Sequence, residues 1–284
     1  MADALIDLEE LESKAADLHR EFDSAQPFPH VVVDNLLSLS PSAADAFPDI
    51  DWDGWNDLGG RYQRNKRTCA DIQLIPEPFK ELIRALCEPR FLKVLEQITG
   101  IAQLLPDPYL AGGGLHISGP GGILSPHTDF HVYRGLSLYR RVNVIVYLTE
   151  EWSAEDGGCL SLYDGQDRAV QTVVPDWGRA VIFRTDDQSI HGFPVPVADG
   201  KWRRSVALYY YTATPTEGFS GDETTYWRQH GDQAGMTNKV RFVAYRLLLN
   251  LSRAISILAT VVNPNQGLGP VKTALSNRRR AQQR

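Results

Sequence analysis

The stretch RVNVIVYLTEEWSAEDGGCLSLY, residues 141–163, decides the fold class. A β-branched run, VNVIVYL, ends in an acidic, Gly-containing turn, and a second short run, CLSLY, follows. Both have the composition of strands bounded by turn residues. The texture extends from Pro106 to Pro215, with further strands expected near GLHIS, VQTVV, RAVIF and RSVALYYYT. Six or more short strands with regular turn signals indicate a sandwich, barrel or jelly roll.

Upstream the pattern changes. Leu5, Leu8, Leu11, Ala15 and Leu18 recur at three- and four-residue steps, which predicts an acidic amphipathic helix within residues 1–25. Val31 to Val33, after two prolines, read as a short strand, and a loop rich in Asp, Gly and Trp runs on to about Ile75. From Glu77 to Leu104 the pattern is helical, opened by Pro78 and stopped at Gly100. Downstream, Phe242 to Val262 is the most apolar window, with Arg246, Asn250 and Arg253 on one helical face. Charges at mid-span are costly in a bilayer, so an amphipathic helix is expected, lying on the core, a partner or a membrane surface, and no transmembrane span. The chain thus divides into an N-terminal helical and loop region packing on the core (1–105), a β core (106–215), and an amphipathic helix with a tail (216–284). The class is mainly β with flanking helices (α+β).

Composition narrows the function. The 284 residues suffice for one sizeable core, alone or with appendages. With 29 Lys+Arg against 35 Asp+Glu, a net charge of −6, the chain lacks the basic field that sequence-independent nucleic-acid binding needs. A hydrophobic fraction of 43% excludes a disordered or collagen-like chain. Three scattered cysteines make no thiolate zinc site and fit a reducing, cytoplasmic setting. The N-terminus has neither the basic start nor the unbroken apolar run of a signal peptide. A monomer or homodimer is expected.

Among seven histidines, one has the spacing of a site. His127-Thr128-Asp129 places an imidazole and a carboxylate on one side of a strand, two residues apart. His191, between the apolar strand AVIF and the turn HGFPVP, is the candidate for a third ligand. Two His and one carboxylate form a facial triad with open positions, which suits non-haem Fe(II) and O2. By itself His-x-Asp is weak: the two histidines also read as turn and loop residues. A later strand, KWRRSVALYYYT, strengthens the metal reading by placing Arg203, Ser205, Ala207 and Tyr209 on one face. A guanidinium beside a hydroxyl on an inward face is a fork for a carboxylate. The bland alternative turns Arg203 outward and pairs Arg204 with a surface acid. Asn143, Ile145 and Tyr147 share a face by the same parity, and Tyr147 could donate to that carboxylate.

The ordered set His127-Thr128-Asp129, YLTEEW (147–152), Gly157-Gly158-Cys159-Leu160, His191-Gly192-Phe193-Pro194 and RRSVALY (203–209) resembles the Fe(II)/2-oxoglutarate-dependent dioxygenases, in particular their prolyl-4-hydroxylase-like branch. The resemblance covers about Gly112 to Thr214. It implies a double-stranded β-helix, or jelly roll, with helices packed on the major sheet. It implies Fe(II) on His127, Asp129 and His191, with 2-oxoglutarate and O2 as cosubstrates and ascorbate as reductant. Tyr147, Asn143, Arg203 and Ser205 are the implied 2-oxoglutarate residues. Lys201 and Arg204 also lie near the position of the basic residue, and Arg203 is preferred on strand parity and the Arg-x-Ser pattern. Relatives that halogenate lack the carboxylate, so Asp129 implies hydroxylation, desaturation or ring closure.

The expected activity is hydroxylation of a small metabolite or amino-acid-derived molecule. A prolyl-type protein hydroxylase is the first alternative. A non-catalytic metal-binding jelly roll, or an interaction protein acting through its late helix, are the others. His116 and His131 flank the motif as pocket or sheet residues, while His19, His30 and His230 read as surface. Trp52, Trp55 and the segment Arg61–Arg67 read as a loop that either folds over the barrel mouth or packs. Cys159 reads as buried and inert.

Overall fold

The computed structural model describes residues 5–38, 40–214, 225–227 and 236–262. Two compact units divide the chain, Met1–Arg228 and Gln229–Arg284.

In the first unit, helix α1 (Leu8–Ser24) opens at Asp7, whose carboxylate accepts from the Glu10 amide, and buries Leu8, Leu11, Ala15, Leu18 and Phe22. This is the apolar stripe expected from the sequence. The helical stretch that follows is two helices, α2 (Glu77–Cys87) and α3 (Pro89–Thr99), broken where Pro89 biases Glu88 out of the helical region. Helix α3 stops at Gly100 in the left-handed conformation.

The remaining elements are strands: β1 (His30–Val33), β2 (Asn56–Asp57), β3 (Gln63–Cys69), β4 (Leu105–Pro106), β5 (Gly114–Thr128), β6 (Val132–Tyr133), β7 (Leu138–Tyr147), β8 (Leu160–Tyr163), β9 (Ala169–Val173), β10 (Ala180–Arg184), β11 (Ile190–Phe193), β12 (Arg203–Thr212) and β13 (Tyr226–Trp227). The main order is β1-β10-β7-β12-β5-β11-β8-β9, with β3 paired to β5, and the described pairings are antiparallel. It forms a nearly closed barrel, consistent with a double-stranded β-helix. Strand β5 makes the corner. Its first half pairs with β12, and beyond Gly119-Pro120-Gly121-Gly122 it pairs with β11 through Leu124 and His127, while β3 pairs with it on both sides of the corner. Gly121 sits at φ 71, a value L-residues seldom take. At the other end of β5, Gly114 (φ 89) lets β3 approach: a Cβ there would lie 2.1 Å from the Cys69 carbonyl oxygen.

Strand periodicity divides the central strands between two environments. Val142, Val144, Val146, Val206 and Leu208 face a layer that includes Leu11, Phe79, Leu82, Phe91 and Leu95 from the three helices. Burying each such side chain stabilises the fold by roughly 1.5–3 kcal/mol. The opposite parity, Asn143, Ile145, Ser205, Ala207 and Tyr209, lines a cavity.

Several expectations need correction. Residues 63–69 are strand β3, not loop; of the two readings for Trp52 and Trp55, packing is the one seen, as a T-shaped pair against the helical core. His191 lies within a strand, β11. His30 is buried, not on the surface, because it opens β1 with its ring against the Phe28 carbonyl. His230 and the tail beyond 262 lie outside the described residues.

In the second unit, helix α4 (Met236–Val262) has Val240, Val243, Leu247, Leu251, Ile255 and Leu258 exposed. The face assigned to Arg246 and Arg253 lies outside the described residues. Among the described residues, no helix is long and apolar enough to cross a membrane.

Candidate metal centre

His127 and His191 are directly paired across β5 and β11, and Asp129 follows the end of β5. Their ligand atoms all lie within 4.8 Å of one another, and all three residues are buried. Each imidazole is fixed by the chain two residues before it. His127 Nδ1 is 2.9 Å from the Ser125 carbonyl oxygen, and His191 Nδ1 is 2.9 Å from that of Ser189. A carbonyl only accepts, so Nδ1 carries the hydrogen and Nε2 keeps its lone pair. Both Nε2 atoms point at Asp129, at 3.6 Å for His127 and 3.5 Å for His191. Burial drives the His191 pKa down to about 4, partly opposed by Asp129, so the ring is neutral at pH 7. Burial alone would raise the Asp129 pKa, but Arg140, His191 and His127 hold its carboxyl well below the usual range. Two imidazoles and one carboxylate are the donor set of a divalent transition metal.

Asp129 is aimed by groups behind it. Buried Arg140 donates to Asp129 Oδ2 at 2.9 Å and to Asn143 Oδ1 at 2.8 Å. Asn143 donates to the same Asp129 oxygen at 2.7 Å and accepts from the Thr185 hydroxyl. The guanidinium lies 3.3 Å over the Tyr209 ring and 4.8 Å over that of Phe130. Such supports fix a metal-binding carboxylate's rotamer. Asn143, expected beside 2-oxoglutarate, therefore sits at the metal end. Arg140 escaped the sequence reading because its parity is wrong for the cavity face. A bulge opposite Tyr210 and Tyr211 shifts the register and swings Arg140 inward.

At the other end, Arg203 is buried between the rings of Tyr147 and Phe193, 4.9 and 4.5 Å away. It donates to the Gly158 carbonyl at 2.8 Å and to the Tyr147 hydroxyl at 3.2 Å. Ser205, one step along the strand face, is buried, and its hydroxyl has no hydrogen-bond partner. An orphaned hydroxyl beside a guanidinium fits a carboxylate ligand such as the distal end of 2-oxoglutarate. Lys201 faces elsewhere, toward Asp156 and the Glu151 carbonyl, and Arg204 lies over Phe47. Among the three basic candidates, Arg203 lines the cavity.

The cavity joining the two ends has a volume of about 190 Å³. His116 lines it, its ring held 3.2 Å from the Gly112 carbonyl, whereas His131 is fully buried beside Asp187. At the mouth, Trp227 stacks on Tyr62 (5.2 Å, 7°) and packs against the His127 ring at 4.8 Å. Lys66 of β3 also lines the cavity; the sequence reading did not single it out.

Comparison with known proteins agrees with this arrangement. Residues 113–212 match the 2OG-Fe(II) oxygenase superfamily. Over 77 residues the chain is 38% identical to prolyl 3-hydroxylase OGFOD1 of Xenopus laevis and 29% identical to its Mus musculus namesake. These alignments take in 25% of this chain and 15% and 14% of those proteins, so the chain matches a small part of their length. In fold it is similar to a Trichoplax adhaerens prolyl hydroxylase in complex with a hypoxia inducible factor peptide fragment (TM-score 0.53, 17% identity, 72% of this chain and 92% of that one). It is also similar to a Pseudomonas putida prolyl-4-hydroxylase (TM-score 0.51, 16% identity, 70% and 98%). The segment 113–212, which matches the 2OG-Fe(II) oxygenase superfamily, carries the triad and Arg203 in order, on a fold similar to that of prolyl hydroxylases.

Proposed function

We propose that the chain is an Fe(II)- and 2-oxoglutarate-dependent dioxygenase that hydroxylates an unactivated C–H bond of a small, amino-acid-derived molecule. The observation that carries this reading is one cavity with a His127-Asp129-His191 donor set at one end and Arg203 with the orphaned Ser205 hydroxyl at the other. When bound, Fe(II) supplies the redox chemistry in which O2 and 2-oxoglutarate become succinate, CO2 and an oxidant for the substrate. The chain's part is to hold and exclude. His127 and His191 present Nε2 lone pairs, and Arg140 and Asn143 keep Asp129 ionised and aimed. Arg203, Ser205 and Tyr147 fix the distal carboxylate. Trp227, backed by Tyr62, and Phe130 wall the reacting space from water. Ascorbate is the proposed reductant for idle cycles.

A second reading, hydroxylation of a prolyl residue in a protein, is favoured by the similarity over 77 residues to a prolyl 3-hydroxylase. Incubation with Fe(II), 2-oxoglutarate and O2, with a metabolite panel in one arm and lysate proteins in the other, separates the two. The first reading predicts a +16 Da product among the metabolites; a product confined to the proteins overturns it in favour of the second. Succinate in neither arm sinks both.

The late helix supports a further role that can coexist with catalysis. Residues 236–284 contain nine Lys or Arg and no Asp or Glu, and α4 exposes large aliphatic side chains. A basic helix with an exposed apolar face suits an anionic membrane surface. Full-length protein should co-sediment with phosphatidylserine vesicles and lose this on deletion of 236–284; undiminished binding removes the helix from the account.

A further inference from the structure

Lys66 is the cavity cation that the proposed chemistry leaves unused. It is 8% exposed and lines the cavity from β3. The sheet register puts it there. Lys66 is directly opposite Ser118 on β5, and Ser118 is directly opposite Arg203 on β12. Residues opposite one another in antiparallel strands point to the same face, so Lys66 and Arg203 flank Ser118 on the cavity side. Their backbones are two strand spacings apart, about 10 Å, which two long side chains can bridge.

Among the described residues, Lys66 makes no ion pair and no hydrogen bond, and its side chain borders the cavity. Asp129 is the carboxylate near enough to favour its charge, and Asp129 is already held by Arg140 and Asn143. Burial, reinforced by Arg203, pulls the Lys66 pKa down to about 8, which leaves it mainly protonated at pH 7. Beside it, burial holds the His116 pKa well below the usual imidazole range, aided by Lys66 and Arg203, so this neighbour offers no counter-charge. Buried ammonium groups without a partner are costly and are retained where a ligand supplies the anion.

Charge counting indicates which ligand. A metal dication (+2), Asp129 (−1), Arg203 (+1) and 2-oxoglutarate (−2) sum to zero. Arg140, held by Asp129, Asn143 and two aromatic rings, brings the sum to +1, and Lys66 brings it to +2. Among the described residues, no side chain answers the charge of Lys66, and the cosubstrate's charge is already matched.

We infer that Lys66 is a second carboxylate-binding group of the cavity, beside Arg203, and that the carboxylate it holds belongs to the substrate. This rests on the reading proposed above and narrows its substrate class to carboxylic acids. The same chemistry could come from 2-oxoglutarate itself if its distal carboxylate bridged Arg203 and Lys66, and the test separates the two sources.

The test needs no turnover. In full-length protein loaded with Mn2+, the reaction of Lys66 with trinitrobenzenesulfonate is followed by peptide mass spectrometry. It is measured alone, with 2-oxoglutarate, and with 2-oxoglutarate plus acetate, glycine, L-proline or L-leucine, each compared with its carboxamide. A substrate carboxylate at Lys66 predicts that 2-oxoglutarate leaves it reactive and that acids, not amides, slow labelling by about tenfold, the scale of one charge-assisted contact. Protection by 2-oxoglutarate alone, with Lys66→Met raising its calorimetric Kd about tenfold and Lys66→Arg restoring it, places the cosubstrate's carboxylate there instead. If acids protect no better than amides, and 2-oxoglutarate neither protects nor loses affinity in Lys66→Met, the inference fails. Calorimetric 2-oxoglutarate binding to the Mn2+-loaded wild type tests the underlying reading separately: binding without any carboxylate effect at Lys66 sinks the inference alone, and no binding sinks the reading.

Discussion

Replacing Lys66 by Met should stabilise the empty protein. Met keeps most of the buried hydrocarbon and removes the ammonium. The lysine titrates near 8 in the folded chain against 10.5 when unperturbed, a difference of about 2.5 pH units, which corresponds to about 3 kcal/mol at 1.36 kcal/mol per unit. The sign follows from proton uptake. Below pH 8 both states carry the proton and the folded state bears the full cost of burying the charge. Between pH 8 and 10.5 the folded state sheds the proton while the unfolded chain keeps it, so the wild type gains stability relative to the variant. Above 10.5 the ionisation cost is gone. For a unit of this size each kcal/mol moves Tm by roughly 2–4 °C, so chelator-treated Lys66→Met should melt roughly 6–12 °C above wild type at pH 7. The gap should close as the pH approaches 10.5. Circular dichroism melts at pH 7, 8.5 and 10 measure it. A variant less stable than wild type at pH 7, or a gap that does not change with pH, would refute the claim that Lys66 is an uncompensated buried cation.

Other substitutions separate the two ends of the cavity. Arg140→Met should weaken Mn2+ binding by about 10- to 100-fold through loss of the group that aims Asp129, measured by calorimetry without 2-oxoglutarate. Arg203→Met should leave Mn2+ binding intact and raise the Kd for 2-oxoglutarate by about 10- to 100-fold, the scale of lost hydrogen bonds to a charged group. Ser205→Ala should raise that Kd by about fivefold, one neutral hydrogen bond. An Arg203 effect on the metal equal to its effect on 2-oxoglutarate would show that the two ends are not separate.

Much of this was legible in sequence because the central strands read by parity. On β12 one alternation supplies Val206 and Leu208 to the helical layer and Arg203, Ser205 and Ala207 to the cavity, and both sets are visible in RRSVALY. His127-x-Asp129 was legible for the same reason. The features that were missed depend on partners distant in the chain. Strand β3, QRNKRTC, has no apolar alternation and contains Asn65 at φ 43, so its pairing with β2 and β5 makes it a strand, and the register with β5 turns Lys66 inward. Strand β11 is four residues, too short for a periodic signal, and is held between β5 and β8. Arg140 reaches Asp129 through a bulge that no parity rule anticipates. Asn143 was placed on the correct face but at the other end of the cavity, because position along a strand depends on registers that the sequence does not display.

The central claim is that His127, Asp129 and His191 together with Arg203 convert 2-oxoglutarate at a bound iron. The direct measurement is succinate formed from 2-oxoglutarate under air with Fe(II) and ascorbate, for wild type and for Asp129→Ala, with folding of both checked by circular dichroism. The account predicts succinate with the wild type and none above the protein-free background with the variant. Equal succinate from both, or none from a folded, Fe(II)-loaded wild type, would contradict it.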